Sequence, residues 1–199
     1  VRRLLAWLAI GLVILTLLVP IAALTFSVQV SGTSMDPTLK EGDRLLVDFI
    51  GRDRIKRFDL VEAKPGEGSP TLVKRVVGMP GDRVAVARTT GDAPRVFVRP
   101  AGGDEVFEVA NPTWAGQVGD RTLPCCTTDG KSGPARAWAT VPDGHYWLLG
   151  DNWGGSDDSR VFGFVPADQV AGRLNFRILP LSDFGEVPSA TELVSSADQ

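Results

Sequence analysis

The chain of 199 residues contains one histidine, His145, and only two cysteines, Cys125 and Cys126. With a single histidine, any serine nucleophile has few familiar bases to draw on. The cysteines are adjacent, with no C-x2-C pair and no histidine nearby, which excludes a zinc-finger site and a disulfide framework. Two readings of the pair stay open, a small buried or turn pair and a strained bridge between neighbours. Lysine is scarce, five against sixteen arginines, and the net charge of −3 gives no reason to expect a nucleic-acid partner. No internal repeat is visible, and helical periodicity is nearly absent after residue 26.

What is present begins with residues 4–26, a run of 23 positions without a charge. As a helix it reaches about 35 Å at ~1.5 Å per residue, enough to cross a hydrocarbon core of ~30 Å. A cleavable signal peptide is the competing reading, but its apolar core is usually ~7–15 residues and ends in small residues. Ala22-Ala23 followed by Leu24 is a poor cleavage site, so the run is expected to stay as an anchor, with Pro20 near its outer end. Arg2 and Arg3 precede it, and the positive-inside rule puts residues 1–3 in the cytoplasm. No second run of comparable length occurs. The expectation is a single-pass plasma-membrane protein with one extracytoplasmic domain over 27–180.

Beyond the anchor the pattern is short, β-like and punctuated by Gly and Pro. Candidate strands are DRLLVDFI (43–50), DLVEAK (59–64), TLVKRVVG (71–78), DRVAVAR (82–88), RVFVRP (95–100), EVFEVA (105–110), ARAWATV (135–141) and HYWLLG (145–150). Their spacing and turn boundaries predict a mostly β fold, an antiparallel sheet domain after the transmembrane helix. Residues from about 88 to 140, rich in Gly, Pro, Thr and Asp, read as a smaller, less regular β insertion. The tail 181–199 has few large apolar residues and is expected to be mobile.

Three stretches could carry chemistry. In VSGTSMDPTL (30–39), Ser34 comes soon after the anchor and is a candidate nucleophile. Arginine cannot release its proton, so a base other than His145 would have to be a lysine. Four of the five lysines, Lys40, Lys56, Lys64 and Lys131, lie in turn-like sequence. Lys74 lies mid-strand, and period-2 alternation puts it on the apolar face with Leu72 and Val76. A lysine of pKa ~10.4 is neutral about once in 2500 molecules at pH 7, whereas burial to ~8 raises that to about one in ten. The ordinary reading is a lysine snorkelling to solvent. In GDNWGGSDDSRVFGFVP (150–166), glycines let Asn152, Ser156, Asp158 and Arg160 converge. The ordinary reading there is an Asx-rich turn with a surface ion pair worth at most ~1 kcal/mol.

Together, S-M-x-P-T soon after an anchor, K-R-V-V-G-x-P-G-D and G-D-N-x3-S-x-D-S-R, in that order, make the chain resemble bacterial type I signal peptidase. That family is a membrane-bound serine endopeptidase that removes signal peptides from exported preproteins. The resemblance covers about 27–178 and is weak over 88–140. It implies Ser34 as nucleophile and Lys74 as general base. Ser156 would hydrogen-bond the lysine amine, Asp158 and Arg160 would form a supporting ion pair, and Asp151 and Asn152 would shape the turn. Met35 and Pro37 would hold the loop and line a groove that takes small residues at the first and third positions before the cut (Ala-x-Ala type). It implies no metal and no cofactor.

One position departs from part of that family, where a serine two residues before the nucleophile donates to the oxyanion hole. This chain has Gly32 there, which leaves the Ser34 N–H with Ser31, Thr33 or another backbone N–H as second donor. His145 is expected to be structural. Trp114, Trp138 and Trp153 read either as core aromatics or as residues resting on lipid, the second partner after the preproteins. Ser34 is eight residues past the apolar run, at most ~29 Å from the hydrocarbon edge when fully extended. Two alternatives stand beside the main reading: a Ser-Lys protease with a narrow substrate such as a conjugation, pilus or organelle precursor, and a non-catalytic anchored β domain.

Overall fold

The computed structural model describes residues 1–66, 68–87, 94–114, 117 and 124–196. It opens with α1 (Arg2–Thr25), 24 residues long, with mean hydropathy 2.7 over its most apolar window and no buried residue. At ~1.5 Å per residue it is about 36 Å long, and its leucines, isoleucines and valines project outward all round.

Thirteen strands come after it: β1 (Ser27–Gln29), β2 (Arg44–Asp48), β3 (Leu60–Ala63), β4 (Leu72–Gly78), β5 (Arg83–Ala87), β6 (Arg95–Arg99), β7 (Phe107–Ala110), β8 (Ala139–Thr140), β9 (His145–Leu149), β10 (Val165–Pro166), β11 (Val170–Leu179), β12 (Gly185–Glu186) and β13 (Glu192–Ser195), counted among the described residues. One short helix, α2 (Ser159–Phe162), lies between β9 and β10. The main sheet has the order β1-β2-β11-β3-β4-β9-β10, with β12 also on β11, and every pairing is antiparallel. A second sheet has the order β13-β7-β6-β5-β8.

The fold is the mostly β, antiparallel architecture that the strand spacing predicts. The insertion expected over 88–140 is organised around the second sheet, which already begins at Arg83. Positions 88–93, 115–116 and 118–123 lie outside the described residues.

β4 sits inside the main sheet between β3 and β9 and is buried on both faces. Side chains alternate along a strand, so the two faces enter different surroundings. Val76 packs with Val61, Leu148, Val165 and Val170, whereas Val77 packs with Trp147, Val84, Val98 and Trp114 between the sheets. A third cluster joins Val30, Met35, Leu39, Leu45, Leu60 and Leu174, and fastens the 30–39 loop to the sheet. Lys74 and Arg75, next to each other on β4, are therefore both dry, at 1% and 2% exposure.

The tail corrects an expectation. Composition predicts a mobile segment from 181, yet β12 pairs with Phe176 and Arg177 of β11, and β13 pairs residue for residue with β7. Few large apolar residues are needed, because β13 gains its order from the open edge of an existing sheet; residues 197–199 lie outside the described set.

Candidate active site

Ser34 lies in a turn between β1 and β2, and Lys74 lies on β4. Lys74 Nζ is 2.6 Å from Ser34 Oγ and donates to the carbonyl of Val73 at 3.1 Å. Burial lowers the lysine pKa from 10.5 to about 8, against the raising influence of the Asp158 and Asp157 carboxylates. The strand-face argument for Lys74 is met, and the snorkelling alternative is not.

The nucleophile loop is held by the 150–156 turn. Asn152 N–H donates to the Ser34 carbonyl at 3.1 Å, and its side-chain amide donates to the Thr33 carbonyl at 3.0 Å. Gly150 is required where these segments meet. A Cβ there would run into the Ser156 side chain and stand 2.5 Å from the Ser34 carbonyl oxygen. Gly32 has φ +86°, a left-handed conformation that side-chain-bearing residues resist. The loop shape therefore favours glycine at position 32.

Asp158 and Arg160 do pair, as a buried two-pronged contact and not at the surface. Arg160 Nε donates to Asp158 Oδ1 at 2.8 Å and Nη2 to Oδ2 at 2.7 Å. Asp158 also accepts from the Gly150 N–H at 3.0 Å, which ties the pair to the turn. Arg160 lies 3.8 Å over the Trp153 ring.

Two expected roles are corrected. Ser156 Oγ is buried but makes no hydrogen bond among the described residues, so it does not hold the lysine amine, whose contacts go to Ser34 and Val73. Met35, 1% exposed in the third core cluster, holds the loop from inside and does not line a groove, while Pro37 is exposed. Trp114 and Trp153 are core residues at 1% exposure each, with rings 5.2 Å apart, so neither can meet lipid. Trp138 is half-buried beneath the guanidinium groups of Arg83, Arg99 and Arg136. Cys125 and Cys126 form a disulfide and are buried, so the bridge is the reading that holds.

Sequence reading missed the network on the other face of β4. Asp151 is fully buried. It accepts from Arg75 Nε at 2.8 Å, from Arg75 Nη2, from Thr38 Oγ1 and from Asn111 Nδ2 at 3.1 Å. Trp114 Nε1 donates to the Gly150 carbonyl at 3.1 Å. Arg75 stands in the K-R block and could have been suspected there. Asn111 and Trp114 come from the weakly patterned insertion, where no local signal marks them.

His145 starts β9, whose other end leads into Gly150, roughly 17 Å along a strand at ~3.3 Å per residue. Its Nδ1 lies 2.9 Å from the Asp143 carbonyl. His145→Ala is expected to leave kcat within about twofold of the unmodified chain, since exposed turn contacts carry little. A variant assay at pH 7 checks this, and a loss above tenfold would return the histidine to the mechanism.

The family described as "Signal peptidase, peptidase S26" matches residues 3–179. Signal peptidase IB of Staphylococcus aureus (strain Mu50) is 31% identical over 188 residues, covering 92% of this chain and 93% of that protein. Signal peptidase I of Bacillus caldolyticus is 34% identical over 157 residues, covering 78% of this chain and 80% of that protein. A solved signal peptidase I from Enterococcus faecalis is 28% identical, with TM-score 0.42, over 60% of this chain and 96% of its own. With a match across residues 3–179 and relatives of nearly equal length, this chain belongs to the signal peptidase family, peptidase S26, and is a serine peptidase.

Proposed function

We propose that this signal peptidase is anchored in the plasma membrane by α1, holds its β domain on the extracytoplasmic side, and cuts exported preproteins after Ala-x-Ala-type sites. Ser34 is the nucleophile and Lys74 the general base. The observation that carries this is the 2.6 Å approach of Nζ to Oγ with the lysine 1% exposed. A desolvated neutral amine takes the hydroxyl proton as Oγ attacks the scissile carbonyl, then hands it to the leaving amine. An acyl-enzyme on Ser34 remains, and the same lysine activates the water that releases it. The Ser34 N–H is one oxyanion donor. β1, just before the nucleophile loop, is an edge strand of the main sheet, so an extended peptide can lie alongside its free backbone. The anchor and the Arg2-Arg3 pair before it support the orientation.

The test is purified full-length protein in detergent or lipid with a precursor bearing an Ala-x-Ala site, the products identified by mass. Cleavage after the second alanine is expected, and an uncut precursor would overturn the proposal.

The lysine also sets a pH dependence. Its neutral form is the base, so kcat/KM should rise about tenfold per pH unit up to about 8 and then level, without an alkaline collapse. For stability, the folded chain binds fewer protons than the unfolded one between about 8 and 10.5, so stability improves across that window. Below it the full cost stands, about 3 kcal/mol for a shift of this size. Lys74→Met should therefore unfold at higher denaturant than the unmodified chain near pH 7 while losing cleavage. An equal or lower midpoint would contradict the buried-lysine account.

A further inference from the structure

The tail lies beyond the 3–179 span that the family matches, yet it is tied to both sheets and to the back of the site. Phe184 packs edge-on against Phe176 with ring centres 5.2 Å apart, and β12 then pairs with Phe176 and Arg177. Val187 N–H donates to the Asn175 carbonyl at 2.8 Å, and its side chain packs on the core cluster that contains Met35 of the nucleophile loop. Ser189 Oγ accepts from Arg75 Nη1 at 2.9 Å. Glu192–Ser195 then pairs with Ala110–Phe107, and Leu193 packs on the core between the sheets. The segment crosses from one sheet to the other. Cavities of about 750 Å³ and 560 Å³ lie along its inner side, and Arg75 lines both.

Arg75 is where this crossing meets the chemistry. Its guanidinium is buried and satisfied by Asp151, the Phe58 carbonyl and Ser189. It is bonded in sequence to Lys74, and its partner Asp151 is bonded to Asn152, whose N–H holds the Ser34 carbonyl. Asn111, at the end of the strand that β13 joins, donates to the same Asp151. Ser189, Arg75, Asp151, Asn152 and Ser34 thus form a continuous path from the tail to the nucleophile.

We propose that residues 185–196 are a catalytic strap, with Ser189 a positioning residue that fixes the Arg75–Asp151 pair and through it the spacing of Ser34 and Lys74. The inference rests on the Ser34–Lys74 reading of the site. A small displacement of either group costs rate out of proportion to the energy involved, because proton transfer and attack both need the short Oγ–Nζ approach. Loss of one acceptor from a buried guanidinium supplies such a displacement. Ser189 reaches the network through Arg75 on β4, and β2, β11 and β3 lie between β4 and the edge strand β1, so KM is expected to change little.

The test uses the full-length chain and its Ser189→Ala, Ser189→Thr and Leu193→Asp variants. Ser189→Ala should lower kcat roughly threefold to tenfold with KM within about twofold, and Ser189→Thr, which keeps the hydroxyl, should restore it. Leu193→Asp should speed amide exchange at Glu192–Ser195 and lower kcat at least as far. Unchanged kcat in Ser189→Ala, or a loss that threonine does not rescue, overturns the strap's positioning role. Ser34→Ala, run alongside, separates the two readings. If the unmodified chain cleaves no better than Ser34→Ala, the assigned chemistry fails. Exchange at Val187 and Glu192–Ser195 then still decides the docking: faster in Ser189→Ala supports it, unchanged overturns it.

Discussion

Ser34→Ala is expected to lower kcat for precursor cleavage by on the order of 10⁴-fold or more, because the acyl-enzyme cannot form and water must attack unaided. Lys74→Met should fall to a similar floor. Two residues that act as one unit do not add, so the double variant should be no slower than either single one. The loop itself should be undisturbed by Ser34→Ala, since its anchors are Met35 and Leu39 in the core and the Asn152 contacts to the Thr33 and Ser34 carbonyls. An unfolding midpoint equal to that of the unmodified chain, with cleavage gone, is the combined result to look for. Cleavage persisting above one part in a hundred would move the nucleophile elsewhere.

Asp151→Ala is expected to cost the fold about 3–5 kcal/mol, the penalty for stranding a buried charge. Arg75, 2% exposed, would lose both prongs of its carboxylate partner, and Thr38 and Asn111 would lose their acceptor. For a chain of this length that corresponds to a fall in Tm of roughly 10 °C or more. Replacing the pair together, Arg75→Met with Asp151→Leu, should regain much of the stability, since apolar groups can fill the volume without a desolvated charge. It should not regain activity, because the turn that carries Asn152 would have lost its tie to β4. A Tm within about 2 °C of the unmodified chain in Asp151→Ala would show that the network contributes little.

Four strands of the main sheet, β2, β3, β4 and β9, were visible as short alternating runs between turns, β4 most clearly of all, whereas β1, β10 and β12 are too short to show a pattern. The longest strand, β11, was not visible either, because Gly172, Arg173 and Asn175 interrupt its apolar alternation and its pairing shifts register between Val170 and Gly172 and between Arg173 and Phe176. β13 could not be read from ELVS alone, since four residues acquire strand structure from the edge of β7. At the site, Ser34 and Lys74 were legible because three motifs in order resemble the signal peptidase family; the strand-face pattern by itself left Lys74 open to the snorkelling reading. The Arg75–Asp151 network was not, because Asn111 and Thr38 become its members only through contacts 40 and 113 residues apart.

By itself the amino-acid order determined the apolar N-terminal helix, the β character of the domain after it, and a lysine on an apolar strand face. These depend on neighbours within a few residues and on the period of a strand or helix. The tertiary structure alone decided that Ser156 leaves the Lys74 amine to Ser34 and Val73, that the Asp158–Arg160 pair lies inside the domain, and that the tail closes over Arg75. Each of these is a matter of a few ångströms between segments far apart in the chain, where burial strengthens every polar contact and local pattern carries no record of it.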